Sequence, residues 1–107
     1  MTKLNDELVQ PIIIVNRQDG HVERVLNTKK QAISMYSIFV KMPDVKKGIE
    51  VFADFSNQTE KELLADFNLI ELVNTFSTRY LARRVKRNGK KIEVKDESQN
   101  VTLRLKL

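Results

Sequence analysis

The fold turns on residues 67–85, FNLIELVNTFSTRYLARRV. Read as strands, Ile70 and Leu72 face one way, and Phe76 and Tyr80 keep that parity. Read as a helix, Leu69, Leu72, Val73, Phe76 and Tyr80 line one face at spacings of three and four. Both templates fit, so local chemistry has to decide. Residues 74–78, NTFST, make a poor helix interior, because Asn, Ser and Thr side chains compete for backbone hydrogen bonds. The reading therefore favours two strands broken near residues 74–77.

The next stretch overlaps it. Residues 78–95, TRYLARRVKRNGKKIEVK, carry Arg79, Arg83, Arg84, Lys86, Arg87, Lys90, Lys91 and Lys95 against a single acid, Glu93. Asn88-Gly89 favours a two-residue hairpin turn. That turn would set Arg87 opposite Lys90, Lys86 opposite Lys91, Val85 opposite Ile92 and Arg84 opposite Glu93. Val85 with Ile92 then makes an inward pair, and Arg84 with Glu93 an outward ion pair. The two pairs nearest the turn are like-charged, which costs stability. Such an arrangement points to function: a basic hairpin that meets a polyanion.

Charge is distributed accordingly. The chain of 107 residues has net charge +5. Residues 1–78 carry nine Lys+Arg and eleven Asp+Glu, a net of −2, and residues 79–107 carry ten and three, a net of +7. One region attracts a polyanion while the body stays neutral to it. The length predicts one domain, 1–107. With 41% hydrophobic and 31% charged residues, the composition is that of a soluble globule. No apolar run has the length of a membrane span. Residues 1–10, MTKLNDELVQ, place acids where a signal peptide needs bases, and read as a loose arm. The absence of cysteine excludes disulfides and thiolate metal sites, and with them points to the cytoplasm.

Along the chain, residues 11–15, PIIIV, predict a strand buried on both faces, since one-sided strands alternate. Asp19-Gly20 then predicts a hairpin, with Val15 opposite Arg24 and Ile14 opposite Val25. After a polar link at residues 28–31, residues 32–42 read as a strand. Its parity slips between Ile33/Met35 and Ile38/Val40/Met42, which a β-bulge near Tyr36-Ser37 would explain. Pro43 ends it, and Lys46-Lys47-Gly48 reads as a turn. Ile49, Val51, Ala53 and Phe55 alternate as a further strand. Thr59 with Glu62 forms a capping box, which predicts one short helix ending near Asp66. Asp96 to Asn100 makes a polar turn, and Val101, Leu103, Leu105 and Leu107 alternate in a closing strand. The sum is a mainly β chain with one short α-helix, a small OB-like barrel. The alternative is an α+β winged helix, in which residues 69–86 form a helix and the Asn88-Gly89 hairpin its wing.

Catalytic chemistry finds little footing. The one histidine, His21, flanks a turn without a nucleophile pattern, and Glu60, Glu62 and Asp66 form a solvated helix face. No metal-ligand spacing and no glycine-rich phosphate loop occur, so no catalytic residue, metal or cofactor is expected. Nucleic acid fits better. Lys and Arg neutralise phosphates and release counterions, and single strands stack on surface aromatics. Tyr36, Phe52 and Tyr80 are the candidate rings, while Phe39, Phe55, Phe67 and Phe76 read as core.

Residues 67–74, FNLIELVN, the hairpin through RNGKKIEV at 87–94 and the closing strand resemble the C-terminal half of small β-barrel proteins from Gram-positive conjugative elements. That family includes a helicase-processivity factor that resembles single-stranded DNA-binding proteins. The resemblance implies single-stranded DNA binding in replication or transfer of a mobile element, beside a replication or transfer protein. The expected site is Arg79, Tyr80, Arg83, Arg84, Lys86, Arg87, Lys90, Lys91 and Lys95, with Tyr80 stacking and the cations on phosphates. Two other readings share the charge signature: a winged helix on duplex DNA, and a phage or plasmid module whose basic hairpin covers an acidic host surface.

Overall fold

Five consecutive buried residues, Pro11, Ile12, Ile13, Ile14 and Val15, set the architecture. A strand sends alternate side chains to opposite faces, so burial of the whole run demands a layer on each side. The computed structural model, which describes residues 7–88, 91–96 and 101–106, supplies both layers. The elements run β1 (Leu8–Asn16), β2 (Val22–Thr28), α1 (Lys29–Phe39), α2 (Pro43–Ser56), α3 (Glu60–Asp66), α4 (Leu69–Phe76), β3 (Tyr80–Arg84), β4 (Arg87–Asn88), β5 (Lys91–Asp96) and β6 (Val101–Lys106). Two antiparallel sheets result, ordered β2-β1-β3 and β4-β5-β6. Ile12 and Ile14 face the helices, in a core with Leu26, Phe39, Leu72 and Val73. Ile13 and Val15 face the second sheet through Ile92 and Val94. The double-sided burial read from PIIIV is correct.

The expected barrel is not. The chain is α+β, with four helices and two small sheets among the described residues. Residues 32–42 belong to a helix, α1, rather than a bulged strand. Thr28 caps it: its hydroxyl accepts from the Gln31 backbone N–H at 3.2 Å, and the Gln31 side chain accepts from the Thr28 N–H. The apparent slip in parity is helical period, with Met35 and Phe39 buried one turn apart. Residues 49–55 are likewise helical. Pro43 opens α2 at its first turn, where a missing N–H costs nothing. Val45, Ile49 and Ala53 form its buried stripe, and Asn57 ends it in the left-handed region at φ 58°.

The capping box at Thr59 and Glu62 starts α3 as the sequence indicates. In residues 67–85 the two templates divide the stretch. Residues 69–76 are helical, because Asn68 caps α4 through the Glu71 N–H at 2.9 Å and Leu69, Leu72 and Val73 bury one face. Helix gives way to strand at Ser77, so the long helix of the winged alternative is absent as well. Thr75 stands exposed on α4, while the Asn74 amide turns to β3, donating to the Ala82 carbonyl at 3.0 Å and accepting from the Ala82 N–H at 2.7 Å.

Both hairpin registers differ from expectation. In the first, Ile14 faces Arg24 and Ile13 faces Val25, while Val15 faces Val22 beyond an irregularity. The Asn16 N–H donates to the His21 carbonyl at 2.8 Å, so four residues close the loop and Gly20 sits at φ 75°. In the second, Arg87 faces Ile92 and Asn88 faces Lys91. The like-charged pairs Arg87/Lys90 and Lys86/Lys91 are not in register. Arg84 faces Ile12 on β1, not Glu93, which faces Arg104. Val85 and Ile92 nonetheless meet in the same apolar cluster. Residues 8–10, expected as part of a loose arm, belong to β1. Residues 1–6, Gly89, Lys90 and residues 97–100 of the expected turn at 96–100 lie outside the described residues, while Asp96 ends β5 opposite Val101.

Gly48 lies where α2 crosses α4. A Cβ built there would stand 2.8 Å from Phe76 Cγ and 3.1 Å from its Cβ. Phe76 is itself held by ring contacts with Phe52 and Phe67, at centroid distances of 6.2 and 5.7 Å. Alanine gains about 1 kcal/mol of helix propensity, while overpacking costs about 1–3 kcal/mol. Gly48→Ala is therefore expected to lower stability by about 1 kcal/mol, read as a fall in the urea midpoint.

Candidate nucleic-acid interface

Strand β3 carries much of the basic sequence, and its two ends are held differently. At the start, Ser77 is buried and its hydroxyl accepts from the N–H groups of Arg79 and Tyr80 at 3.3 and 3.0 Å. Arg17, from the β1–β2 loop, donates from Nε to the Tyr80 carbonyl at 2.8 Å and from its terminal nitrogen to the Asn74 carbonyl at 3.0 Å. Asp44, in the first turn of α2, accepts from the Thr78 N–H at 2.8 Å and the Thr78 hydroxyl at 3.1 Å. The Thr78 backbone bond holds the Asp44 carboxyl below the usual carboxylate range, with help from the Thr78 hydroxyl and against partial burial.

The far end of β3 meets a second group of cations. Arg84 and Lys29 line one cleft of about 210 Å³, with Val9, Ile33, Asn68 and Ile70. Lys29 and Lys30 occupy the first turn of α1, which holds no acid. Cations at the positive end of a helix dipole oppose it, by about 0.3–1 kcal/mol each. Lys29 reaches Glu7 at 3.8 Å, with both side chains largely in water, so that pair adds little. Lys86 and Lys91 are exposed. They flank Arg87, whose terminal nitrogen donates to the carbonyls of Val9 at 2.8 Å and Asn27 at 3.3 Å. That bond brings β4 within one arginine's length of Thr28, the cap of α1. Arg84 and Lys29 thus share one cleft, Lys30 follows Lys29 in the first turn of α1, and Lys86 and Lys91 stand exposed on either side of Arg87, where it reaches Asn27.

The sequence-derived set is divided by this geometry. Arg83, Arg84, Lys86 and Lys91 are exposed at or beyond the distal end of β3. Arg79 and Tyr80 lie at the proximal end, about 13 Å away at the rise of an extended chain. Register puts Arg83 on the face of Ile13 and Arg84 on the face of Ile12, so neighbouring arginines leave the sheet on opposite sides. Arg87 is partly buried and committed to backbone carbonyls, and its buried Nε has no partner. Lys90 and the side chain of Lys95 lie outside the described residues. Lys29 and Lys30 were not picked out from sequence. Two lysines behind a Thr cap, with no acid in the first turn, were the available signal.

None of the candidate rings reaches the basic end. Tyr80 packs edge-on against Phe39 at 5.7 Å, with the Arg79 guanidinium 6.0 Å above its ring. The Tyr36 hydroxyl donates to the Leu64 carbonyl at 2.6 Å, and burial pushes its pKa up. Phe52 joins Phe67 and Phe76. His21 is exposed, its N–H donating to the Asp19 carboxylate at 2.8 Å. Among the described residues no group of three metal-ligating side chains occurs, and no helix is long and apolar enough to cross a membrane. Compared with protein families, curated proteins and solved structures, the chain matches none of them.

Three variants test the framework of the site. Arg87→Ala is expected to cost about 2 kcal/mol in urea unfolding, because it strips charged donors from two carbonyls. Lys86→Ala is expected to stay within about 0.5 kcal/mol. For Asp44, a depressed folded pKa means the unfolded chain takes up its proton first. The stability it contributes is present above the ordinary carboxylate pKa and is lost as pH falls through the folded one. Asp44→Ala is therefore expected to melt well below the parent at pH 7, with the gap closing under acid conditions in a melting series.

Proposed function

We propose that the chain is a non-enzymatic nucleic-acid-binding protein that grips the phosphate backbone. The observation that carries this reading is the gathering of Lys29, Lys30, Arg84, Lys86 and Lys91 where the β3–β5 link meets the start of α1. Cations from two distant parts of the sequence meet there, and the positive end of the α1 dipole, with no acid in its first turn, opposes the two on that helix. Phosphates would relieve that repulsion and release counterions.

The placement of the rings favours a duplex. A single strand needs bases stacked on exposed aromatics, and Tyr36, Phe52 and Tyr80 are engaged elsewhere. A seat in the major groove for α3 or α4 has no support either. The outer faces of α3 and α4 carry Glu60, Glu62, Asp66 and Glu71 against Lys61, which would repel phosphates. Contact along the backbone, without base reading, is what remains. A role in replication or transfer of a mobile element rests on the resemblance of residues 67–74 and 87–94 alone.

Fluorescence anisotropy with duplex DNA, single-stranded DNA and RNA across a salt series tests the proposal. Five phosphate contacts give a log–log salt slope of about −4.5 on duplex. The triple reversal Arg84→Glu, Lys86→Glu, Lys91→Glu is expected to weaken duplex binding by at least about a hundredfold, and Arg79→Glu to change it little. Unchanged affinity in the triple variant sinks the proposal. Tighter binding to single strands, lost in Tyr80→Ala, would restore the stacking mode instead.

A further inference from the structure

The most exposed large apolar side chain on the molecule's described surface is Phe55, at 86%. It lies on α2 with Val51, 58% exposed, one turn before it. At 100° per residue, Asp54, Lys47, Val51 and Phe55 fall in order across a stripe about 100° wide. The buried residues Val45, Ile49 and Ala53 occupy the opposite side. This stripe therefore faces away from the core. Contiguous exposed apolar residues with a polar rim mark an interaction surface.

The rim says what would cover it. The first half of α2 presents Lys46 and Lys47, with Asp44 engaged by Thr78, and the second half Glu50 and Asp54. A polyanion would meet Glu50 and Asp54 along one flank of the stripe, which argues against nucleic acid or an anionic membrane on this face. A second copy of the same helix, laid antiparallel, meets no such conflict. The midpoint between Lys47 and Asp54 falls between Glu50 and Val51, so a two-fold axis there sets each Lys47 beside the other copy's Asp54. Both residues lie on the same flank of the stripe, which such an axis preserves. Val51 then packs near its own symmetry mate. Phe55 lies over the first half of the other copy's α2, beside the stem of Lys47.

We propose that the chain self-associates through α2, as an isologous antiparallel pair built on Val51 and Phe55 and held in register by two Lys47–Asp54 ion pairs. An isologous interface requires this kind of self-complementarity. One helix pair buries little surface, at or below the low end of the range for specific complexes, so the dimer forms at micromolar concentration. The proposal is independent of nucleic-acid binding, since the stripe shares no residue with the basic end.

Sedimentation velocity on the full chain, over a concentration series without nucleic acid, tests it. The parent is expected to move from monomer to dimer across the micromolar range. Phe55→Ser is expected to abolish the dimer. Lys47→Glu and Asp54→Lys should each weaken it by about tenfold, with far-ultraviolet circular dichroism unchanged. The double variant Lys47→Glu, Asp54→Lys should restore it, because each copy then supplies the swapped pair. A parent that stays monomeric throughout the series overturns the proposal and leaves the face to a different partner. A dimer indifferent to Phe55→Ser, or a double variant as weak as the singles, overturns it too.

Discussion

Burial of β1 on both faces is the constraint from which the rest follows. Four β-branched residues in a row leave no wet side, so the strand must lie between two layers. The helices cover Ile12 and Ile14, and β5 covers Ile13 and Val15. Each layer comes from a different part of the chain, which obliges the polypeptide to leave the first sheet after β2, build four helices, and return as β3. Strand β3 is therefore both the last member of the first sheet and the approach to the second. Its arginines are distributed to the two sides of that sheet by the same alternation that buries the isoleucines.

Three polar anchors act on this return. Arg17 holds the end of α4 and the start of β3 together. Asp44 fixes Thr78 to the first turn of α2. The Asn74 amide occupies the outer edge of β3 at Ala82 like a fragment of a further strand, which blunts an edge that would otherwise invite pairing. These bonds fix where the basic side chains emerge. The proposed interface depends on them as much as on the cations, since phosphate contacts spaced along a backbone demand a rigid array.

Legibility in the sequence followed the uniqueness of each local pattern. PIIIV admitted one reading, and Thr59 with Glu62 gave a helix start that the structure repeats. Ile49, Val51, Ala53 and Phe55 admitted two, because every second residue of a short apolar run also contains every fourth. Pro43 was read as a stop when it was a start, and the Gln form of the capping box at Thr28 passed as a polar link. At the site, charge was legible and position was not. Nothing in KRNGKK distinguishes Arg87, which is tied to carbonyls, from Lys86 and Lys91, which are exposed. The observed register sets Arg87 opposite Ile92, two residues beyond the expected Lys90, and Arg87 is fixed by tertiary contacts with Val9 and Asn27.

Pro11 has a consequence for the order of assembly. A proline in a central strand cannot donate to its neighbour, and the β1–β2 pairing is irregular between Leu8 and Ile12. The Val9 and Asn27 carbonyls beside that gap are the ones Arg87 takes, from 78 and 60 residues further along. The Pro11 carbonyl itself accepts from the Val85 N–H at 2.9 Å. The flaw made at the beginning of the chain is thus closed only by its last third. Contacts of such sequence separation slow folding, since a long loop must close before they form. During synthesis, the hairpin and helices can assemble while Ile13 and Val15 stay uncovered, until residues 92 and 94 have left the ribosome.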